Sequence, residues 1–127
     1  GVAVVAAAAT LPQLADGSAQ RRLDELTTRL RDGLAEVSRR HGIPVRLAGA
    51  GGHFQPYFLD TDVRDYRSAA TTNAHRYLLL REAAAAERAL LPGKPLLHAA
   101  LSTAHTEADV DRLVEIADKA FARMDET

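Results

Sequence analysis

Five histidines and two lysines are the residues in this 127-residue sequence with the clearest potential for chemistry. No two histidines are four residues apart, so no helix would present the paired imidazoles of a common metal site. The sequence has no cysteine, which excludes a thiolate metal site, a disulfide and a cysteine nucleophile. We therefore predict no metal site and expect each histidine to be a surface or structural residue; the five are His41, His53, His75, His98 and His105.

Ser102 and Thr103 lie near His105, and such a group could suggest a nucleophile with its base. No acid is placed by sequence to orient the imidazole, and triads are defined by spatial geometry rather than by sequence proximity. We instead expect His105 to bond a loop carbonyl just before a helix. Lys94 lies between helix-breaking residues and Lys119 lies opposite an apolar stripe, so neither resembles the desolvated amine of a Schiff base.

The elements that must position these residues follow from the apolar pattern. Residues 2–15 favour a helix packed on several sides and interrupted by Pro12, and residues 16–18 form a turn. A second helix is predicted over 20–41, ending at Gly42, with Glu25–Arg29 and Glu36–Arg40 pairs on its solvated face. Its buried stripe comprises Leu23, Leu26, Leu30, Leu34 and Val37.

Beyond Gly42 the period changes to that of strands. Val45 and Leu47 mark one strand and residues 54–59 a second, with a glycine-rich hairpin turn between them. Pro56 cannot donate to a ladder, so its strand is expected at an edge or with a bulge. A long helix is predicted over 69–90, a buried third strand over 96–101, and a last helix that begins with a Thr106–Asp109 capping box. The stripe of this last helix comprises Val110, Leu113, Val114, Ala117, Phe121 and Met124.

This order of elements predicts an α+β fold, with a small antiparallel sheet of about three strands flanked by helices. Lys and Arg total 16 against 17 acidic residues, which leaves no broad positive field for nucleic acid or an anionic membrane. The longest apolar run, residues 2–9, is far shorter than a membrane span, and no signal peptide is evident, so we expect a cytoplasmic protein.

Several segments together resemble one enzyme family. Residues 101–111, LSTAHTEADVD, resemble the SxAHTxxDVD signature near the C-terminus of class III aminotransferases that depend on pyridoxal phosphate (PLP). Residues 57–66, YFLDTDVRDY, resemble the FFTDxPVxxY segment, and residues 51–54 fall on the GSMF turn. Residues 41–45 and 3–11 also match in order and spacing. The chain is most similar to glutamate-1-semialdehyde 2,1-aminomutases within this family.

The resemblance implies the C-terminal domain of a fold-type I PLP enzyme, an aminotransferase (transferase) or aminomutase (isomerase). Residues 1–17 would be a helix leading from a missing large domain, and residues 18–127 the small domain. The family's PLP-holding lysine, acid and glycines would precede Gly1, so we expect no catalytic or cofactor-binding residue here and no activity from this chain alone. The intact enzyme would hold PLP, act on a small amino donor and acceptor, and form a homodimer.

Departures from the family pattern leave the substrate open. Leu97 stands where the aminomutases carry the glutamate of their QFEAGF strand, and His98 follows it, which makes both residues candidate walls of a substrate pocket. The alternative is that both fill the core of a buried strand. Residues 87–89 replace the family's RGV, and loss of its glycine is expected to let the preceding helix run on.

An alternative function is also open: a free-standing, non-catalytic binding or dimerisation module derived from such a domain. The apolar face of residues 2–11 would then be its interface.

Overall fold

The computed structural model describes residues 1–124, which form five helices and three strands over that range. In chain order they are α1 (Val2–Leu14), α2 (Ser18–His41), β1 (Arg46–Ala48), β2 (His53–Tyr57), α3 (Tyr66–Ala69), α4 (Ala74–Ala86), β3 (Ala99–Ala100) and α5 (Glu107–Met124). The strands form an antiparallel sheet in the order β1-β2-β3. The predicted α+β fold with a small antiparallel sheet is confirmed.

The core lies between the helices and the face of the sheet that carries Phe54. Tyr77 of α4 and Phe121 of α5 are completely buried, and the Phe58 and Phe121 rings lie 5.4 Å apart. The α2 stripe is confirmed, since Leu26, Leu30, Leu34 and Val37 are buried and Leu23 is partly buried. All six predicted stripe positions of α5 are buried or partly buried, and Ile116 and Ala120 join them.

Charged side chains join α2 to α5 across this core. Arg29 is not held by the Glu25 of its own helix; it donates two hydrogen bonds to Asp111 of α5, at 2.7 and 2.8 Å. At the other end, Arg40 and His41 contact the Asp118 carboxylate at 2.9 and 2.7 Å. The predicted solvated face of α2 is therefore partly an interface with α5.

The long helix predicted over 69–90 is wrong, because the chain forms α3 and α4 with a break at 70–73. Phe58, the residue after β2, bonds two residues of this break and keeps them out of a helix. Thr72 Oγ1 accepts from the Phe58 amide at 2.8 Å, and the Asn73 amide donates to the Phe58 carbonyl at 2.9 Å. Asn73 also caps α4 by accepting a hydrogen bond from the Arg76 amide. Helix propensity is overridden here by these tertiary bonds.

The expectation that the helix runs on past 87–89 is also wrong. It ends at Ala86, and Arg88 takes the left-handed conformation with φ of 64° that glycine usually supplies. The Ala89 amide bonds the Ala84 carbonyl and the Arg88 amide bonds the Ala85 carbonyl, the two bonds of a Schellman motif. Arg112 of α5 donates to the Glu87 carbonyl at 2.8 Å and so fixes the end of α4 from outside.

The third strand is shorter than predicted, and the edge position expected for Pro56 is wrong. β3 contains only Ala99 and Ala100, which pair with Phe54 and His53. β2 is therefore the central strand. Pro56 is tolerated there because it pairs only with Leu47 of β1, and β3 ends its ladder before reaching it.

The interruption predicted at Pro12 is wrong, since helix α1 continues through it, and all its residues are exposed within the described chain, with Val2 88% exposed. The packing on several sides that its composition suggests is absent from residues 1–124. The break from α1 to α2 falls at residues 15–17, but assignment of 1–17 to a linker from a large domain stays a prediction.

No single helix within residues 1–124 is long and apolar enough to cross a membrane. In that range, α1 and α2 taken together, bent by 72° at their junction, meet the length and composition of a span.

Candidate functional site

Leu97 and His98, the predicted pocket residues, lie side by side in the segment that leads into β3. Both are exposed, with 49% of Leu97 accessible to solvent. The alternative in which they fill the core of a buried strand is therefore wrong, because the strand begins only at Ala99. Their role in a substrate pocket stays a prediction.

Two buried side chains hold the segment that carries Leu97 and His98. Gln55 of β2 donates from Nε2 to the Pro95 carbonyl at 2.8 Å, and Tyr77 of α4 donates from its hydroxyl to the Pro92 carbonyl at 2.7 Å. Burial raises the pKa of the Tyr77 hydroxyl, which keeps it protonated as a donor. The segment is thus fixed at two carbonyls by groups rooted in the core.

A shallow depression of about 90 Å³ lies beside His98 and is lined also by His53, Gln55 and Tyr57 of β2. The His53 and His98 rings meet edge to face, with their centroids 6.3 Å apart. Gln55 is 3% exposed, and its Oε1 is buried without a hydrogen-bond partner among the described atoms. This face of the sheet therefore presents two imidazoles and one phenol beside Leu97.

Ser102 Oγ lies 3.2 Å from His105 Nδ1, but the contacts around the ring are those of a turn that precedes a helix. His105 Nδ1 accepts from the Ser102 amide at 2.9 Å, so the ring bonds an amide and not the loop carbonyl that was expected. Asp109, four residues after His105, accepts from the Thr106 amide and hydroxyl at 2.7 and 3.0 Å. These bonds lower the pKa of Asp109 and confirm the predicted capping box.

The lysines and histidines do not assemble a cofactor or metal site in the described part of the chain. Lys94 and Lys119 are both exposed, whereas a Schiff-base lysine needs a desolvated or otherwise activated amine. These residues therefore do not fit PLP. No group of three potential metal ligands forms among residues 1–124.

Known proteins are similar to this chain in sequence and in fold. No family model matches the chain. Glutamate-1-semialdehyde 2,1-aminomutase of Desulfosudis oleivorans is 33% identical over 121 residues, which is 95% of this chain and 28% of that protein. The chain is homologous to the C-terminal part of this aminotransferase and aminomutase family. It spans about a quarter of the length of such relatives.

Solved aminotransferase structures share the fold of this C-terminal domain. An omega-transaminase from Sphaerobacter thermophilus superposes with a TM-score of 0.68 and 27% identity, over 80% of this chain and 23% of its own. The PLP internal aldimine form of FumI protein from a Sphingopyxis species gives a TM-score of 0.65 at 24% identity, over 84% and 23%. The fold-type I C-terminal domain implied by the sequence resemblance is confirmed.

Gln55 and Tyr77 are the site residues that sequence reasoning missed. Both lie within predicted elements, but a polar residue in a half-buried strand gives no sign that a loop carbonyl will lie over it. A buried glutamine is unusual enough to mark such an anchor once burial is known, since buried polar groups are retained mainly where they make hydrogen bonds.

Proposed function

We propose that this domain acts with a PLP-binding part as a class III aminotransferase or aminomutase that moves an amino group on an amino acid or amine. Homology over 95% of the chain, confined to 28% of the relative, is the observation that carries the proposal. PLP bound in that other part would supply the electron sink. This domain supplies shape and contacts, because neither of its lysines suits the cofactor.

Two exposed apolar surfaces support docking against such a part. Val2, Val4 and Val5 of α1 are each at least 70% exposed, and Leu97 is half exposed beside His98. Exposed apolar clusters mark surfaces that bury against a partner. We propose that α1 packs on the PLP-binding part and that Leu97 and His98 form one wall of the substrate pocket.

A chimera tests this function. The chain would replace the matching C-terminal part of the Desulfosudis oleivorans enzyme, and amino transfer and the visible aldimine absorbance would be measured. We expect the chimera to bind PLP and transfer amino groups, and the 127-residue chain alone to do neither. Aldimine absorbance from the chain alone, or a folded chimera that binds PLP without any amino transfer, would contradict the proposal.

The Leu97 position is tested in the same chimera. Leu97→Glu puts a charge into the proposed pocket and should change the KM ratio between a neutral and an acidic amino donor by about tenfold, a free-energy difference near 1.4 kcal/mol. Leu90→Glu, at a residue 90% exposed, is the matched control. Equal effects from the two substitutions would exclude Leu97 from the pocket.

A non-catalytic dimerisation module is the second candidate, and the exposed valines of α1 are the observation in its favour. We also propose a homodimer for the intact enzyme and a cytoplasmic location. Light scattering of the chain with and without Val4→Lys is combined with the chimera assay: a dimer of the chain that dissociates in the variant favours the module only if the folded chimera transfers no amino groups.

A further inference from the structure

We propose that a second cavity, which Leu97 and His98 do not line, binds a small carboxylate with an apolar body. This cavity, here called the α4–α5 cavity, has a volume of about 400 Å³ and is bounded by residues 87–91 after α4, residues 99–101 around β3, and the start of α5. The inference does not depend on the proposed amino transfer.

The lining of the α4–α5 cavity is apolar at its base. Leu30, Phe54 and Val110 are core residues that also line it, and Leu91, Leu101 and Leu113 pack beside them. Around this base, polar and apolar atoms share the lining surface almost equally, and a volume of this size is typical of small-molecule sites. The body of the ligand is therefore expected to be hydrocarbon.

Two carboxylates and two guanidinium groups line the cavity, so its formal charge is zero, but the Arg88 guanidinium has no partner among residues 1–124. Glu87 lies 3.5 Å from Arg112, and the Asp109 carboxylate accepts a hydrogen bond from the Thr106 amide. Arg88 lines the cavity, is exposed, and has no ion pair or side-chain hydrogen bond within residues 1–124. A guanidinium at the mouth of a cavity with an apolar base pairs best with a carboxylate, which it can bind through two parallel hydrogen bonds.

The backbone of Arg88 supports the same conclusion. It is the one non-glycine residue with positive φ in the described chain, and it lies where a Schellman motif usually has glycine. The left-handed conformation is unfavourable for any residue that carries a side chain. Strain of this kind concentrates at functional sites, which is the expected pattern if the arginine side chain is needed.

His105 supplies a second polar group. Its Nδ1 is occupied by the Ser102 amide, so the neutral ring carries its proton on Nε2 and can donate there. A carboxylate at the mouth would thus have a cation in Arg88 and a neutral donor in His105.

Titration of the 15N-labelled 127-residue chain with hexanoate tests the proposal, with 1-hexanol and hexylammonium as matched probes. We expect saturable shifts in amides of residues 87–91, 99–101 and 105–113 with hexanoate, and weaker binding of the other two. Arg88→Gln should weaken hexanoate binding about tenfold, the expected loss of a charge-assisted hydrogen-bond pair. Arg88→Lys should retain only part of it, because the ammonium keeps the charge but cannot form the two parallel hydrogen bonds, and Arg64→Gln, in an exposed loop, should retain all.

Arg88→Gly separates strain from binding. It should raise the melting temperature while losing hexanoate affinity as Arg88→Gln does, because glycine removes the strain together with the guanidinium. Ala100→Trp, at an exposed residue that lines the cavity, should block binding by filling it. Shifts outside the cavity, equal binding of 1-hexanol and hexanoate, or unchanged affinity in Arg88→Gln would overturn the proposal.

Discussion

Single residues decide where this chain turns, and Gly49 is the clearest case. It lies in the β1–β2 turn with φ of 123°, and a Cβ there would lie 2.0 Å from the His53 carbonyl oxygen. Gly51, two residues on, also has positive φ but has open space around it. The predicted glycine-rich hairpin turn is thus required by backbone conformation and close approach.

We predict that Gly49→Ala destabilises the protein by about 3 kcal/mol, combining left-handed strain with a backbone clash. Gly51→Ala, which introduces strain alone, should cost about 1 kcal/mol. Urea denaturation of both variants measures the difference. Equal losses would show that the carbonyl contact at Gly49 does not govern the turn.

At the scale of elements, the packing of α2 on α5 organises the domain. Gly33 lets the two helices approach, since a Cβ there would lie 2.6 Å from Val114 Cγ2. The Arg29–Asp111 and His41–Asp118 contacts lie at the two ends of the same interface. The amphipathic stripes of α2 and α5 were both predictable from spacing, but their mutual contact was not.

We predict that Gly33→Ala destabilises the protein by about 1–2 kcal/mol. The loss is expected although alanine is more favourable than glycine at an exposed helix position by about 1 kcal/mol. The clash prevails because Val114 is β-branched and has little rotamer freedom in a helix. The double variant Gly33→Ala/Val114→Ala should lose less unfolding free energy than the two single variants lose in total, as measured by urea denaturation. Ala35→Gly on the exposed side of α2 calibrates helix propensity. If Gly33→Ala is more stable than the parent, the Val114 side chain moves to make room for the added methyl group.

At the scale of the whole molecule, the carboxylates of α5 couple folding to pH. A hydrogen bond from Arg29 lowers the pKa of Asp111, and a hydrogen bond from His41 with the charge of Arg40 lowers the pKa of Asp118. Carboxylates with lowered folded-state pKa bind fewer protons in the folded than in the unfolded protein. Their stabilisation is therefore present above the unfolded pKa of about 3.9 and is lost as pH falls through the folded pKa.

We predict that the free energy of unfolding falls as pH decreases below about 4. Asp111→Asn/Asp118→Asn should be less stable at neutral pH and should show a shallower acid slope than the parent. Urea denaturation from pH 7 to pH 2 provides the measurement, and Asp60→Asn in the exposed loop after β2 is the control. An acid slope in the double variant as steep as that of the parent would assign acid unfolding to other carboxylates.

Features that depend on residues close together in the sequence were predictable, and features that depend on residues far apart in the sequence were not. The α2 and α5 stripes, the Gly42 stop and the Thr106–Asp109 capping box were predicted because each depends on residues within a few positions of one another. The single helix over 69–90 was wrong because Phe58, distant in sequence, holds residues 72–73 open. The pocket role of Leu97 and His98 stays a prediction, and their exposure was not predictable, since it depends on where β3 begins to pair.

The sequence by itself determined the helical stripes, the hairpin glycines, the lack of cysteine chemistry and the similarity to aminotransferase C-terminal domains. These features depend on residue type and spacing, which local sterics and amphipathic burial translate directly into structure. Only the tertiary structure decided that Arg88 ends α4 without glycine, that Arg29 bonds Asp111 across an interface, and that Gln55 and Tyr77 anchor the segment before β3. Each of these depends on partners well separated along the chain, and such pairings form only when the core brings the elements together.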